Sequence, residues 1–239
     1  MAESLEASLP SARPGRGEAS RLPVLAVVAL ELHATARGTR RYMSFLSCVR
    51  LLKVWCCLRF DDHLGMDPST LVVRADYLEL QVARSKTTGR DKKVQSAKVY
   101  LSTRSFFADG GWIQKLVGFL RSEDFGFARD YLVPLPSEGL DGTIRKFATH
   151  ADLTALGRSL LEELRAPVYV RKVDGAVSWS ASPRPLIPAG GGDFWSEHSE
   201  RKCLVSWAAA TGTVPKDWRD LLGRWASGGS HDYVQTEAD

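Results

Sequence analysis

Hydrophobic positions recur at spacings of three and four residues through much of the chain, which is the period of an α-helix. This spacing predicts one helix from Pro23 to Arg37 and a second from Thr39 to Leu58. The second has a stripe of larger side chains, formed by Tyr42, Phe45, Leu46, Val49, Leu52 and Cys56. The same period returns over residues 111–122 and 151–165, so two more helices are expected there.

Between these helices the hydrophobic period changes from three or four residues to two. Leu78, Leu80 and Val82 alternate with polar or small neighbours, which predicts a half-buried strand. The polar, glycine-containing TTGRDKK stretch follows as a turn, and VQSAKVYLS is a plausible return strand. Residues 70–102 are therefore expected to form a small antiparallel sheet with a basic tip, whose cationic residues are Arg84, Lys86, Arg90, Lys92 and Lys93.

The last third of the chain begins with a region rich in proline and glycine. Residues 166–193 are interpreted as a variable connection with a hairpin at Asp174-Gly175. Ser196 is a suitable N-cap for a helix, and Gly212 lies just past its end. A last helix is expected from Pro215 to Gly228-Gly229, with four side chains directed inward: Trp218, Leu221, Leu222 and Trp225. The predicted fold class is α+β, mainly α-helical, with residues 1–22 as a disordered tail and residues 23–239 as one domain.

Composition and charge narrow the function only slightly. The 239 residues are 44% hydrophobic and 25% charged, and the net charge of +4 is compatible with a polyanionic partner. The four cysteines lack metal-ligand spacing, which favours reduced thiols, an intracellular location and no metal or other cofactor. The longest apolar run, VLAVVAL, is too short to span a membrane.

His198 and Arg201 are the first candidates for chemistry, because they are three positions apart and share one face of the predicted helix. Arg201 lies beside the apolar stripe, where a charge requires an anionic partner. That partner is either a carboxylate in a structural ion pair or a phosphate, which the planar guanidinium fits well.

Five elements together resemble the tyrosine recombinase (phage integrase-like) family, most clearly the transposon-borne integrases of eukaryotes. They are the H-x-x-R of EHSER, the L-G-x-W of LLGRW, a tyrosine nine residues after Arg224, the R-x-x-D of CLRFDD, and the basic hairpin ARSKTTG. The order and approximate spacing of these elements follow the family, and the resemblance covers residues 24–239. It implies the fold of DNA breaking-rejoining enzymes: a helical catalytic domain with a small antiparallel sheet.

The resemblance also implies a role for each catalytic residue. Arg59 and Arg201 stabilise charge on the phosphate without a metal, Tyr233 is the nucleophile, His198 assists it, and Lys86 is the general acid. The position that contacts the phosphate between Arg201 and Tyr233 falls on Arg224 or Trp225. Arg84, Arg90, Lys92 and Lys93 are expected to contact the DNA backbone.

Three assignments stay open at the level of sequence. Arg50 is an alternative to Arg59, although Asp62 follows Arg59 at the family's offset. Lys92 or Lys93 could replace Lys86. Trp225 is either a core side chain or a phosphate ligand.

The resemblance implies double-stranded DNA as the partner, self-association on DNA, and a nuclear location in a eukaryote. The family's separate N-terminal clamp domain is not expected, because too few residues precede the catalytic region. Such a loss is typical of a fragment or a decayed mobile element. Three classes of function follow: a DNA strand-exchange enzyme, a recombinase-derived DNA-binding module without catalysis, and an unrelated helical scaffold. The target sequence is not indicated.

Overall fold

The computed structural model describes residues 20–86, 89–90, 95–171, 173 and 175–223. The fold is α+β and mainly α-helical, as predicted. Its helices are α1 (Val24–Thr35), α2 (Arg41–Trp55), α3 (Phe60–Leu64), α4 (Gly111–Arg121), α5 (His150–Glu163), α6 (Ser199–Ala210) and α7 (Lys216–Gly223).

Three antiparallel sheets accompany the helices in the described part of the chain. The largest has three strands in the order β1-β2-β3: β1 (Met66–Val73), β2 (Tyr77–Val82) and β3 (Ala97–Ser102). Two more sheets have two strands each: β4 (Pro134–Pro136) with β5 (Thr143–Phe147), and β6 (Arg165–Arg171) with β7 (Val177–Pro185). The first sheet confirms the predicted alternation, because Leu78, Leu80 and Val82 are all buried. The structure adds a strand that the alternation did not predict, β1, which a turn separates from β2: the Arg74 N–H donates to the Tyr77 carbonyl.

Helix α2 runs through the centre of the molecule, and each of its residues from Tyr42 to Val54 is buried. A helix buried on all sides has no solvent face for its polar residues. Arg50 and Lys53 are therefore enclosed with the apolar core, at 4% and 1% exposure. These two charges need partners from elsewhere in the fold.

The C-terminal end of α2 is a Schellman turn that uses a cysteine where glycine is usual. Cys57 has a φ of 50°, in the left-handed region. The Cys57 N–H donates to the Val54 carbonyl at 3.4 Å, and the Leu58 N–H donates to the Lys53 carbonyl at 3.0 Å. This turn fixes the direction in which the chain leaves α2 toward Arg59.

The region between α5 and α6 contains a β-hairpin, β6–β7, whose register shifts between Arg165 and Pro167 and in which the Tyr169 and Trp179 ring centroids lie 3.7 Å apart. A 3-10 turn over Gly191–Phe194 follows it. The proposal that residues 1–22 form a tail falls mostly on residues 1–19, which lie outside the described residues, as do Gly228 and Gly229.

The orientation predicted for α7 is wrong. Trp218, Leu221 and Leu222 are 67%, 75% and 41% exposed, and the helix instead buries Asp220 and Gly223. The apolar residues were expected to point inward because of their helical spacing. The polar contacts of its C-terminal end orient the helix the other way.

Candidate functional site

The start of α6 brings together the two residues of the H-x-x-R motif. The helix begins at Ser199, and its N-cap residue is His198, two positions after the predicted cap at Ser196. Ser196 and Ser199 form a turn ahead of the helix, because the Ser196 N–H donates to Ser199 Oγ at 3.0 Å. The His198 N–H donates to Ser196 Oγ at 3.2 Å, which holds His198 at the helix entrance.

Arg201 lies in the first turn of α6 and is 2% exposed. Its Nη1 donates to the Cys57 carbonyl at 2.6 Å, and its Nη2 donates to the Gly223 carbonyl at 2.5 Å. These acceptors carry no formal charge, so the two bonds orient the guanidinium without neutralising it. Arg201 thereby joins the connection between α2 and α3 to the end of α7.

Arg59 follows Cys57 by two residues and is the N-cap residue of α3. It is half-buried. The Arg59 N–H donates to Asp62 Oδ2 at 2.8 Å. This bond explains the R-x-x-D spacing, since an N3 carboxylate accepts from the N-cap backbone. A guanidinium has no acceptor atom, so the Arg59 side chain does not return the bond that completes a capping box.

Arg50, the alternative first-box arginine, is in a different environment. It is buried and paired with two carboxylates, Glu200 Oε1 and, at 3.1 Å, Glu197 Oε1. A guanidinium enclosed in this way cannot reach a DNA phosphate without losing both pairs. The geometry therefore favours Arg59 over Arg50.

Lys86 follows β2 and is exposed. The end of β2 packs against the end of α3, because the Ala83 N–H donates to the Gly65 carbonyl at 2.8 Å. A Cβ on Gly65 would lie 1.7 Å from the Arg84 carbonyl oxygen, so only glycine permits this approach. The segment leading to Lys86 is thus fixed to the helix that Arg59 begins.

The expected DNA-contacting residues are only partly described. Arg84 and Arg90 are exposed. Arg84 Nη2 donates to the Leu64 carbonyl at 3.2 Å and lies 3.4 Å from Asp130 Oδ2. Five predicted site residues lie outside the described residues: Lys92, Lys93, Arg224, Trp225 and Tyr233.

His198 is exposed at the entrance of α6. Its pKa is lowered, first by partial burial of the ring and then by the nearby Lys53, His150 and Arg201. A His198 side chain with a lowered pKa is mostly neutral at pH 7, and a neutral imidazole can accept a proton.

Sequence reasoning missed a buried ionic cluster directly beneath this entrance, formed by Arg50, Lys53, Glu197 and Glu200. Lys53 Nζ donates to Glu197 Oε2 at 2.5 Å and to the Glu197 carbonyl at 3.2 Å, and it lies 3.5 Å from Glu200 Oε2. None of the four is more than 4% exposed. The signal available in the sequence was the matched spacing of three residues, in Arg50 with Lys53 and in Glu197 with Glu200.

The cluster shifts the pKa of one of its members, Glu197, and of a neighbouring residue, His63. Burial alone raises the pKa of Glu197, but Lys53 and Arg50 outweigh it and hold the pKa at about 2. Burial, followed by the charges of Lys53 and Arg50, lowers the pKa of His63 to about 3. Neither ring nitrogen of His63 has a hydrogen-bond partner within the described residues. At neutral pH Glu197 is therefore an anion, and His63, beside the cluster, is a neutral imidazole.

The described residues contain no group of histidine, cysteine, aspartate and glutamate side chains that could hold a metal ion. None of the helices in the described ranges is both long and apolar enough to cross a bilayer.

Comparison with known proteins gives structural neighbours only. A scan against models of protein families and a search of curated protein sequences find no match. Among solved structures, the chain is similar to an FLP recombinase–Holliday junction complex, with 13% sequence identity, a TM-score of 0.48, and coverage of 91% of this chain and 46% of that one.

Two Flpe complexes with Holliday junctions give comparable values. A tryptophan-to-phenylalanine mutant has 11% identity and a TM-score of 0.46, and Flpe without that substitution has 12% identity and a TM-score of 0.46. Each match covers 84% of this chain and 44% of the other. The chain spans less than half the length of these structures, and the candidate site depends on the residues described above.

Proposed function

We propose that this chain is a catalytic domain that cleaves and rejoins DNA strands through a covalent 3′-phosphotyrosine intermediate. Arg59 and Arg201 bind the scissile phosphate, and Tyr233 attacks it. His198 accepts the proton of the attacking tyrosine, and Lys86 donates a proton to the leaving oxygen.

The observation that supports this proposal most directly is the pair of bonds made by Arg201. One bond reaches the Cys57 carbonyl, two residues before Arg59, and the other reaches the Gly223 carbonyl, ten residues before Tyr233. Gly65 and Ala83 link the same α2–α3 region to the segment before Lys86. The segments that lead to Arg59 and Lys86 are thus in contact, and Arg201 joins the first of them to the end of α7, ten residues before Tyr233.

The chemistry requires positive charge and proton transfer at a single phosphorus atom. The Tyr233 hydroxyl forms a P–O bond while the bond from phosphorus to the 5′-oxygen breaks. The phenol proton passes to neutral His198, and the Lys86 ammonium gives a proton to the leaving 5′-oxygen. Two guanidiniums stabilise the charge that grows on the non-bridging oxygens.

Duplex DNA is the substrate, and the exposed basic side chains after β2 contact its backbone. Such contacts position a protein on DNA without selecting bases. The same proposal includes self-association on DNA, because a complete exchange joins strands from two duplexes. It also includes integration of a mobile element and a nuclear location.

The test uses a nicked duplex whose cleaved fragment diffuses away, so that the protein stays attached to DNA. The chain should form an adduct that survives denaturing electrophoresis, and Tyr233→Phe should abolish it while DNA binding persists. An adduct that persists in Tyr233→Phe would contradict the assignment of the nucleophile. Salt-dependent binding without an adduct from the unmodified chain would instead indicate a DNA-binding module without catalysis.

A further inference from the structure

The EHSER segment alternates between residues that face α2 and residues assigned to catalysis. Glu197 and Glu200 bind the cations of α2, while His198 and Arg201 each come one position later in the chain. One residue corresponds to a rotation of about 100° around a helix. Fixing Glu200 against α2 therefore also fixes the direction in which Arg201 leaves α6.

Lys53 contacts both of the segments that lead to the proposed phosphate ligands. Its ammonium donates to the Glu197 side chain and to the Glu197 carbonyl, immediately before His198. Its own backbone carbonyl accepts from Leu58 and closes the Schellman turn, immediately before Arg59. A single residue thus connects the approach to Arg59 with the approach to His198.

These ionic contacts hold the entrance of α6 together with the Ser196–Ser199 turn, because the His198 side chain makes no capping bond to the described residues. Four buried charges are a costly way to hold a helix. Replacing a buried ion pair by apolar residues of similar volume is often neutral or even stabilising, whereas removing one partner is strongly destabilising. Stability alone therefore does not explain why this contact is ionic.

We propose that Lys53, assisted by Arg50, is a positioning residue that sets the separation between Arg59 and the His198–Arg201 pair at the scissile phosphate. This inference rests on the proposed function. Lys53 touches neither substrate nor reacting atoms, and it acts through the two segments that it joins. A displacement of about 1 Å at a catalytic group can lower a rate by about a hundredfold, so the separation of the two arginines matters for catalysis.

The deciding variant removes one cation and one anion together, so that no buried charge loses its partner. Lys53→Met with Glu197→Gln leaves Arg50 paired with Glu200, and the amide introduced by Glu197→Gln still offers an oxygen to Arg50. The double variant should melt close to the unmodified chain, and Lys53→Met alone should melt well below both. We expect adduct formation by the double variant on saturating nicked DNA to be at least tenfold slower, while its Kd for the same DNA changes by less than twofold.

A matched control removes an ion pair at the opposite end of α2. Arg40 Nη2 pairs with Glu163 Oε1 on the surface. Arg40→Met with Glu163→Gln should keep adduct formation within twofold of the unmodified chain.

The outcomes separate this inference from the function on which it rests. If the Lys53→Met, Glu197→Gln variant forms adduct at the unmodified rate, Lys53 is merely structural and the inference is overturned while the enzyme assignment survives. If the unmodified chain forms no adduct at all, both proposals are overturned. A slow double variant with normal melting and normal DNA affinity supports the positioning role.

Discussion

The last two helices of the described chain, α6 and α7, are opposite in what they bury. The first turns of α6 bury three consecutive charged side chains, Glu200, Arg201 and Lys202. Helix α7 exposes its apolar side chains and buries Asp220 and Gly223. Both helices thus depart from the usual rule that polar side chains are exposed and apolar side chains are buried: α6 buries charges, and α7 exposes apolar side chains.

The difference shows what determines the orientation of each helix. α6 is oriented by specific polar partners, since Arg50 and Lys53 of α2 bind its Glu200 carboxylate and the Cys57 carbonyl accepts from Arg201. α7 is attached through its C-terminal end, where the Gly223 carbonyl accepts from Arg201. Arg201 belongs to α6 and also binds the end of α7, so its guanidinium helps to orient both helices.

Among the changes directed at these two regions, acid should have the largest effect on the free energy of unfolding, because it protonates buried polar groups. The pKa of His63 is about 3 in the folded chain and about 6.5 when unfolded, so the unfolded state binds an extra proton between these values. The free energy of unfolding should fall as pH decreases through this window, by about 1.4 kcal/mol per pH unit at most. From pH 6.5 to pH 4.5 the loss should reach about 2 to 3 kcal/mol.

Urea unfolding at a series of pH values measures this loss, with His63→Leu as the comparison. The variant should have a flatter profile between pH 6.5 and 4.5. Both proteins should lose stability below pH 4.5, because the folded pKa of Glu197 is about 2 and its contribution disappears as the carboxylate is protonated. Identical profiles for the two proteins above pH 4.5 would show that His63 is not buried in its neutral form.

An intermediate effect is expected at Gly157, which packs directly against the cluster. A Cβ on Gly157 would lie 1.8 Å from Arg50 Nη2. Glycine to alanine within a helix normally stabilises by about 0.5–1 kcal/mol. Gly157→Ala should instead lower the free energy of unfolding by about 1–3 kcal/mol, because the methyl group forces Arg50 away from its carboxylates.

Gly118 in α4 provides the matched control, since a Cβ there would meet nothing within 4 Å. Gly118→Ala should raise the free energy of unfolding by the ordinary amount. The two variants should thus change stability in opposite directions in the same urea titration. A gain at both positions would mean that Arg50 can move aside at little cost.

The sequence allowed the local features of the fold to be predicted, and the structure confirms several of them. The alternation of Leu78, Leu80 and Val82 gave the buried face of β2, and the helical periods gave α1, α2, α4 and α5. These features depend on neighbours close in the chain. The strand pair β4–β5 was missed because β4 has only 3 residues and no distinct period.

The ionic cluster could not be predicted from the sequence, for a different reason. Arg50 and Glu200 are 150 positions apart, and each alone is typical of a solvated helix surface. Only the fold brings them together, and the matched spacing of three residues is too common on helix surfaces to distinguish them from surface charges. The proposed roles of Arg59, Lys86, His198, Arg201 and Tyr233 stay predictions, which the adduct experiment tests.

The smallest expected effect lies on α7. Trp218 is 67% exposed, so little apolar area returns to water when it is replaced. Trp218→Gln should change the free energy of unfolding by no more than about 0.5 kcal/mol. The same substitution at Trp112, which is fully buried and donates its indole N–H to the Ser105 carbonyl at 3.1 Å, should cost about 3–5 kcal/mol. If Trp218→Gln costs more than about 1.5 kcal/mol, its indole is covered in solution, and α7 would then follow the ordinary rule that α6 alone breaks.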